Sequence, residues 1–364
     1  NMRSYWLKHA EYAKTFINTS NFNGELMGYG KKYIIGSFNV HNLSSRTIME
    51  RAYPIADIIN TSGMDLVALQ EVLDDGAIQT IVKTLNRGIN KWESTKKLQP
   101  KLRREGEKLL KDTRGDLRNE GYAFIWNKTR LKKVDTTLAN GQKRVYEPTI
   151  FSQYKIDRSI GEKELVRDPL YGRFTPRGLG GGNFEIRIIC THIRFNGNKG
   201  ENDPSYLNMR RNELNILSKA LYPKLADKKY GNNMPSYTIL LGDYNMNLKR
   251  SGINGNSIEN EEFFVSGNQN MKKMITVQDQ RTTLKKKSEN STVNTDGQYL
   301  ANNYDHFTYD ALSLNSIHPR YKNVDVIGNA GYHSCYYANY EKYSKEVSDH
   351  LPVIIELCPN INSL

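Results

Sequence analysis

Residues 237–245 read YTILLGDYN, an apolar run that stops at Gly242 and delivers Asp243 and Asn245 at its end. Residues 348–357 read SDHLPVIIEL, with Asp349 and His350 set just ahead of a second apolar run. Short apolar runs bounded by Gly, Asp and Asn are strands, and a carboxylate beside a second polar group at a strand end is where a β-sheet enzyme displays catalytic groups. Two more strings have this form: Asn39 closes KYIIGSFNV and Glu71 closes DLVALQE. Four strand ends bearing Asn, Asp, Glu and His outline a hydrolytic site built around a hard, oxygen-seeking cation.

Asp243 and Asn245 are two residues apart, so in an extended backbone they share a face and can act on one water. His192 ends the strand string FEIRIICTH. His192 and His350 are therefore the two imidazoles expected at strand ends, and His is the side chain that titrates near neutrality without a large shift. His9, His41, His306, His318 and His333 are left out of the site, because a lone His is more often structural. Arg173 and Arg177 lie in YGRFTPRGLGGG, between Asp168 and the strand leading to His192. Arg can clamp a phosphate through two parallel N–H bonds, so both are candidate phosphate-binding residues; the plain alternative is a hairpin loop with incidental arginines.

Taken in chain order, Asn39, Gln70-Glu71, Thr191-His192, the GDYN string, Tyr304-Asp305-His306 and Ser348-Asp349-His350 resemble the endonuclease/exonuclease/phosphatase superfamily, the fold group of deoxyribonuclease I. Each string alone is weak, and it is six of them in the family's order that carry the resemblance. It runs from about Lys31 to Cys358. The implied fold class is α/β, a four-layer α/β/β/α sandwich in which two mixed β-sheets pack face to face with helices outside. The implied metal ligands are Glu71, Asn39 and Asp349, holding Mg²⁺ with Mn²⁺ as the alternative. The implied catalytic groups are Asp243, which orients or deprotonates the nucleophile, and Asn245, which holds it and the phosphate. Whether Asp243 is the base or a ligand of a second ion stays open. Asp305 is the expected partner of His350. For His192 the expected partner is Asp168 in Arg167-Asp168-Pro169, where relatives carry the longer Glu, and that partnership would hold the imidazole protonated.

The implied activity is that of a Mg²⁺-dependent phosphodiesterase, an endonuclease acting on DNA. A phosphoesterase acting on a phospholipid head group or inositol phosphate, as in sphingomyelinase-like relatives, is the alternative. A non-catalytic nucleic-acid-binding scaffold is the third reading, and the retained site residues argue against it. The charge balance suits an anionic polymer: 52 Lys and Arg against 39 Asp and Glu give a formal +13 over 364 residues. Between Lys96 and Lys133 there are thirteen basic and five acidic residues, which reads either as a basic rim of the site or as a solvated helix face.

The domain organisation expected is a helical extension over 1–30, one catalytic domain over 31–358 and a tail over 359–364, with the chain a monomer. Cys190, Cys335 and Cys358 are too few and too irregular for a disulfide framework. No apolar stretch reaches the length of a membrane span, so no stable membrane insertion is expected. With Met2 as the start the chain is expected in the cytoplasm; with a signal peptide removed ahead of it, secreted. Helices are expected over 5–17, over MERAYPIADIIN with Pro54 at a first turn or kink, along Ile78, Ile81, Val82, Leu85 and Ile89, and along Leu207 to Leu225. The stretch 247–291 is expected to be a polar surface excursion.

Overall fold

The computed structural model describes residues 32–100, 120–138, 140–152, 165–177, 184–195, 204–231, 234–248, 264–267, 270–278, 280–284, 300–310, 320–323 and 340–357. The strands are β1 (Tyr33–Leu43), β2 (Leu66–Val72), β3 (Trp92–Ser94), β4 (Gly121–Asn127), β5 (Leu131–Lys133), β6 (Asp135–Thr137), β7 (Lys143–Val145), β8 (Thr149–Ile150), β9 (Leu170–Pro176), β10 (Glu185–His192), β11 (Ser236–Asp243), β12 (Phe264–Gly267), β13 (Asn270–Val277), β14 (Asp305–Asp310), β15 (Arg320–Asn323) and β16 (Val353–Leu357). The helices are α1 (Ile48–Thr61), α2 (Asp75–Leu85), α3 (Pro204–Asn215), α4 (Tyr222–Ala226) and α5 (Tyr340–Glu346).

One sheet runs β15-β16-β1-β2-β4-β3 and the other β12-β13-β14-β11-β10-β9-β5, with β8 beside β9 and a separate β6-β7 ribbon. Each large sheet is antiparallel except for one internal parallel pair, β1 with β2 and β10 with β11. Strand alternation sorts the apolar residues into layers. Tyr33 and Ile35 of β1, Ile186 and Ile188 of β10, Tyr237 and Ile239 of β11 and Ile355 of β16 share one core between the sheets. Phe38 and Val40, one step out of phase, pack instead with Ile55 and Ile59 of α1 and Ile78 and Ile81 of α2. On the far face of the second sheet, Ile189 and Leu240 pack with Leu214, Leu217 and Leu225 of the α3–α4 run. The layers are therefore helix, sheet, sheet, helix, the architecture that the family resemblance implies.

Local structure departs from the sequence expectations where one residue outweighs the pattern. Pro54 sits well inside α1 rather than at its first turn. Ile89 lies beyond the end of α2 and is 78% exposed, although it continues the apolar spacing. Between α3 and α4 the helix widens to a π-turn at Ile216–Leu221, and the Tyr222 N–H reaches back five residues to the Leu217 carbonyl. Pro223 follows directly; its ring would meet the carbonyl four residues back in a regular helix, and a wider turn relieves that clash. Part of 247–291 is sheet rather than loop: β12 and β13 extend the second sheet from β14. The expected helix at 5–17 lies outside the described residues. No described helix is long and apolar enough to cross a membrane.

Gly242 ties the second sheet to its function. Its φ is +140°, and a Cβ there would stand 1.8 Å from the Thr191 carbonyl oxygen across the β10–β11 pair. A backbone atom cannot swing aside as a side chain can. Gly242→Ala is therefore expected to destabilise the fold by about 3 kcal/mol or more and to part the strands that end in His192 and Asp243. Urea unfolding of the variant measures this, and an unchanged midpoint would show that the pair tolerates the methyl group.

Candidate active site

The inter-sheet core turns polar at one end. The inward row of β1 continues Tyr33, Ile35, Ser37 to Asn39; that of β10 continues Ile186, Ile188, Cys190 to His192; that of β11 continues Tyr237, Ile239, Leu241 to Asp243. On antiparallel β14 the inward row starts at Asp305 and proceeds to Phe307 and Tyr309. The register sets His192 opposite Asp243 and Asp243 opposite Asp305. Apolar rows at the same depth thus end in Asn, His and Asp, and the parallel pair in each sheet contributes its C-terminal ends.

Glu71 and His41 arrive there through a bulge. Asn39 pairs with Gln70, but the next partners are Leu43 and Val72, so β1 carries extra residues against β2. His41, Asn42 and Glu71 all have positive φ, at 41°, 50° and 60°. By alternation Glu71 would point to the helix side. Its left-handed backbone re-aims it, which is the usual service of a bulge beside a site. Its Oε1 accepts from Asn39 Nδ2 at 2.9 Å and its Oε2 from the Asn42 N–H at 3.0 Å.

Asp243 is the hub. Its Oδ2 accepts from Asn39 Nδ2 at 3.1 Å and lies 3.5 Å from His192 Nε2 and 3.7 Å from His350 Nε2, while Oδ1 accepts from the Asn245 N–H at 2.9 Å. Burial, with the negative charges of Asp305 and Glu71 and against the charge of His350, pushes the Asp243 carboxyl up to about 7. The two imidazoles are driven apart. His192 is pulled well below the ordinary imidazole value by burial and by the charges of Arg167 and His350. At His350 burial also works against the charge, but Asp305, 2.9 Å from Nδ1, together with Asp243 outweighs it and holds the ring protonated. Asp305 is fixed in turn by the Thr282 hydroxyl at 2.6 Å.

Two buried side chains hold this end in place. Arg51 reaches from α1 and donates to the carbonyls of Val40, His41 and Val347, tying the bulge to the segment that carries Ser348, Asp349 and His350. Each such charged donor contributes about 1.5–3 kcal/mol. Ser348 Oγ donates to the Asn39 carbonyl at 2.7 Å and accepts from the His350 N–H at 3.1 Å.

The residues fit a hard divalent cation. Asp349 Oδ1 faces His41 Nδ1 at 3.1 Å, and the same nitrogen is 3.8 Å from Glu71 Oε2, so the two carboxylates lie on either side of one imidazole nitrogen. Burial would raise Asp349, but His41 and His350 overcome it and bring the carboxyl down to about 2, so it is ionised. Among the described residues no three His, Cys, Asp or Glu side chains close around one point. An ion that keeps most of its waters and takes one or two carboxylates matches that arrangement.

The structure brings Asn39, Glu71, Asp243, Asn245, Asp305, Asp349, His192 and His350 to one end of the sandwich, and it departs from three expectations. Asn39 lies between the expected ligands: its NH2 serves two carboxylates, and its Oδ1 accepts from the His41 N–H at 3.0 Å. The carboxylate that the structure sets beside the His192 ring is that of Glu120, whose Oε2 lies 3.7 Å from Nδ1 and pairs with Arg167 at 2.7 Å. His192 is held neutral rather than protonated. Arg173 is fully buried against Glu185 and over the Tyr230 ring, and Arg177 lies just past β9, beside the start of β10, at the end of the sheet opposite His192. The β9–β10 connection precedes a strand that must run its full length to reach the site, so neither arginine can clamp phosphate there. His41, set aside as a lone His, belongs to the site; the bulge that brings it in leaves no periodic signal. His306 does not, since its two ring nitrogens face the carbonyls of Gln278 and Met246.

No family model matches the chain, and no curated protein matches it. Among solved structures it is similar to an endonuclease/exonuclease/phosphatase family protein from Bacteroides thetaiotaomicron, at 14% identity and TM-score 0.49 over 91% of this chain and 99% of that one. It is also similar to ANGEL2, a 2',3'-cyclic phosphatase, at 13% identity and TM-score 0.49 over 92% and 98% of the two chains. A third is TDP2 from D. rerio complexed with single strand DNA product, at 15% identity and TM-score 0.46 over 90% and 99%.

If Glu120 orients His192, Glu120→Gln changes the protonation and tautomer of that ring while Asp168→Asn leaves both as they are. Ring-nitrogen chemical shifts of His192 by NMR separate the two variants. Turnover of a phosphodiester is expected to fall roughly tenfold or more with Glu120→Gln, the usual loss when a histidine loses its orienting partner. A larger shift change with Asp168→Asn would restore the partnership expected from sequence.

Proposed function

We propose that the chain is a divalent-metal-dependent phosphodiesterase that hydrolyses nucleic acid, with DNA as substrate and internal cleavage as the mode. The observation that carries this reading is the meeting, at one end of the inter-sheet layer, of Asp243 poised near neutrality, a protonated His350, a neutral His192 and the ionised Asp349 beside Glu71. The formal charge of +13 favours a polyanion over a small diester carrying a single charge.

Glu71 and Asp349 would hold Mg²⁺, which supplies positive charge against the phosphoryl oxygens and the leaving alkoxide. Asp243, with its carboxyl near 7, can take a proton from the attacking water at neutral pH. The Asn245 N–H on Asp243 Oδ1 and the Asn39 NH2 on Oδ2 fix the carboxyl plane, with Oδ2 turned toward the two imidazoles. His350, kept charged by Asp305, donates a hydrogen bond to a phosphoryl oxygen, where negative charge grows in the transition state. Neutral His192 shares the space over Asp243 Oδ2, with its Nε2 3.5 Å away. Asn39 holds Glu71 and Asp243 at fixed separation throughout.

The test is parallel incubation of the protein and Mg²⁺ with supercoiled plasmid, RNA, sphingomyelin and inositol phosphates. Nicked circles are the expected product. Turnover of sphingomyelin or an inositol phosphate with intact plasmid would overturn the substrate, and full activity in excess EDTA would overturn the metal. Glu71→Gln, which keeps volume and removes charge, is expected to lose roughly a hundredfold or more in kcat with its unfolding midpoint unchanged. Cleavage of long DNA should fall steeply between 50 and 200 mM salt, roughly a hundredfold or more if several phosphates are contacted, while a small soluble diester responds far less. Equal salt sensitivity for both would mean that the excess basic charge only keeps the chain in solution.

A further inference from the structure

Five large apolar side chains stand exposed among the described residues, and Phe195 is the aromatic one among them, at 38%. It lies three residues beyond His192, so at most about 10 Å of backbone separates the two. Its ring centroid is 6.5 Å from that of Tyr304, with the planes at 39°, and the Arg210 guanidinium carbon is 5.4 Å from the ring. Tyr304 is buried, directly precedes Asp305, and is anchored through its carbonyl to the Tyr244 N–H at 2.8 Å. Arg210 is fully buried. Phe195 is therefore not a loose surface side chain: a tyrosine that leads into a site strand flanks it, and a buried cation lies against its ring. A phenyl ring so held and still partly open to solvent is the kind of surface on which a base stacks with little loss of freedom.

We propose that Phe195, backed by Tyr304 and Arg210, is a stacking shelf for one nucleobase next to the scissile phosphate. This rests on the reading of the site as a nuclease, and it narrows the substrate class to a strand whose flanking base is unstacked from its neighbours, as in single-stranded or locally opened DNA. The cation on one side of the ring polarises it further toward the base. Other phosphodiesters share the metal and histidine chemistry but offer no aromatic base to this position.

The experiment compares oligonucleotides that differ at the residue beside the cleaved phosphate, a normal base or a tetrahydrofuran abasic unit. For the wild-type protein the KM of the base-bearing strand is expected to be lower than that of the abasic strand by roughly five- to hundredfold, the usual worth of one stacked base. Phe195→Ala and Phe195→Leu should erase that ratio through KM rather than kcat, and Phe195→Trp should keep it. Phe195→Leu retains an apolar side chain of similar bulk, so its loss of the ratio reports on the ring and not on packing. Binding of a strand carrying 2-aminopurine at that residue, read by quenching in a His192→Ala background, gives the same comparison without turnover. An unchanged ratio in Phe195→Ala, with quenching retained, would overturn the shelf while leaving the nuclease reading intact. Phe195-dependent quenching by a protein that cleaves no diester would do the reverse.

Discussion

Five carboxylates, from Glu71, Glu120, Asp243, Asp305 and Asp349, and three imidazoles, from His41, His192 and His350, meet at one end of this molecule, and the structure depends on keeping their charge balanced. Glu71, Asp243 and Asp305 come from three different strands, and the negative charges of Asp305 and Glu71 act against a charge on Asp243. Three neutralising contacts answer this. The Asn39 NH2 donates to Glu71 and Asp243 at once, His350 carries its proton between Asp305 and Asp243, and Asp243 itself titrates near 7 instead of staying charged at all pH values above the ordinary carboxylate range. Removing a neutral bridge such as Asn39 would therefore disturb two carboxylates, one in each sheet. The amide is small, but with the His350–Asp305 pair it hydrogen-bonds the two halves of the site together.

Backbone strain is concentrated at the same end. Among the described residues five non-glycine positions have positive φ; His41, Asn42, Glu71 and Asn245 belong to the site, and Gln278 bonds to the Asp305 carbonyl at 3.0 Å. Such conformations cost about 1–3 kcal/mol each and persist only where the surroundings over-determine them. Here the surroundings are the Arg51 staple on one side and the β10–β11 pair, closed by Gly242, on the other. Regular strands alone would send Glu71 to the helix face. The strain is what converts two flat parallel pairs into a cup of side chains.

What the sequence made legible follows from these same facts. Strand ends with inward polar residues keep the period of two that their apolar predecessors establish, so Asn39, His192, Asp243 and Asp305 could be placed from pattern. The four layers came from the family resemblance, and their physical counterpart is that apolar residues alternate between two cores along β1, β10 and β11. His41 and Arg51 could not be placed from pattern, because a bulge breaks the period and an arginine on an amphipathic helix looks like any solvated cation. Glu120 stands alone at the start of β4 with nothing in its neighbours to mark it, and Asp168 beside a family-like Arg and Pro was the more visible candidate. Arg173 misled for a further reason: a loop that feeds a catalytic strand sits at the strand's start, a full strand length from its catalytic end.

The asymmetry of the two imidazoles is the last consequence of the layered fold. His192 and His350 are both buried, and Asp243 Oδ2 lies within 0.2 Å of the same distance from each, at 3.5 and 3.7 Å. Burial alone would leave both neutral. His350 differs because Asp305, held by Thr282, reaches its Nδ1 at hydrogen-bond distance, whereas the Glu120 carboxylate near His192 stays at 3.7 Å and is shared with Arg167. Once His350 is charged, its field and that of Arg167 oppose a second proton on His192. One protonated and one neutral imidazole flanking a carboxyl near 7 is therefore a single coupled state, set by which strand supplies the nearer carboxylate. It gives the site a hydrogen-bond donor, a proton acceptor and an empty base together at neutral pH, which one kind of side chain in one kind of surrounding could not provide.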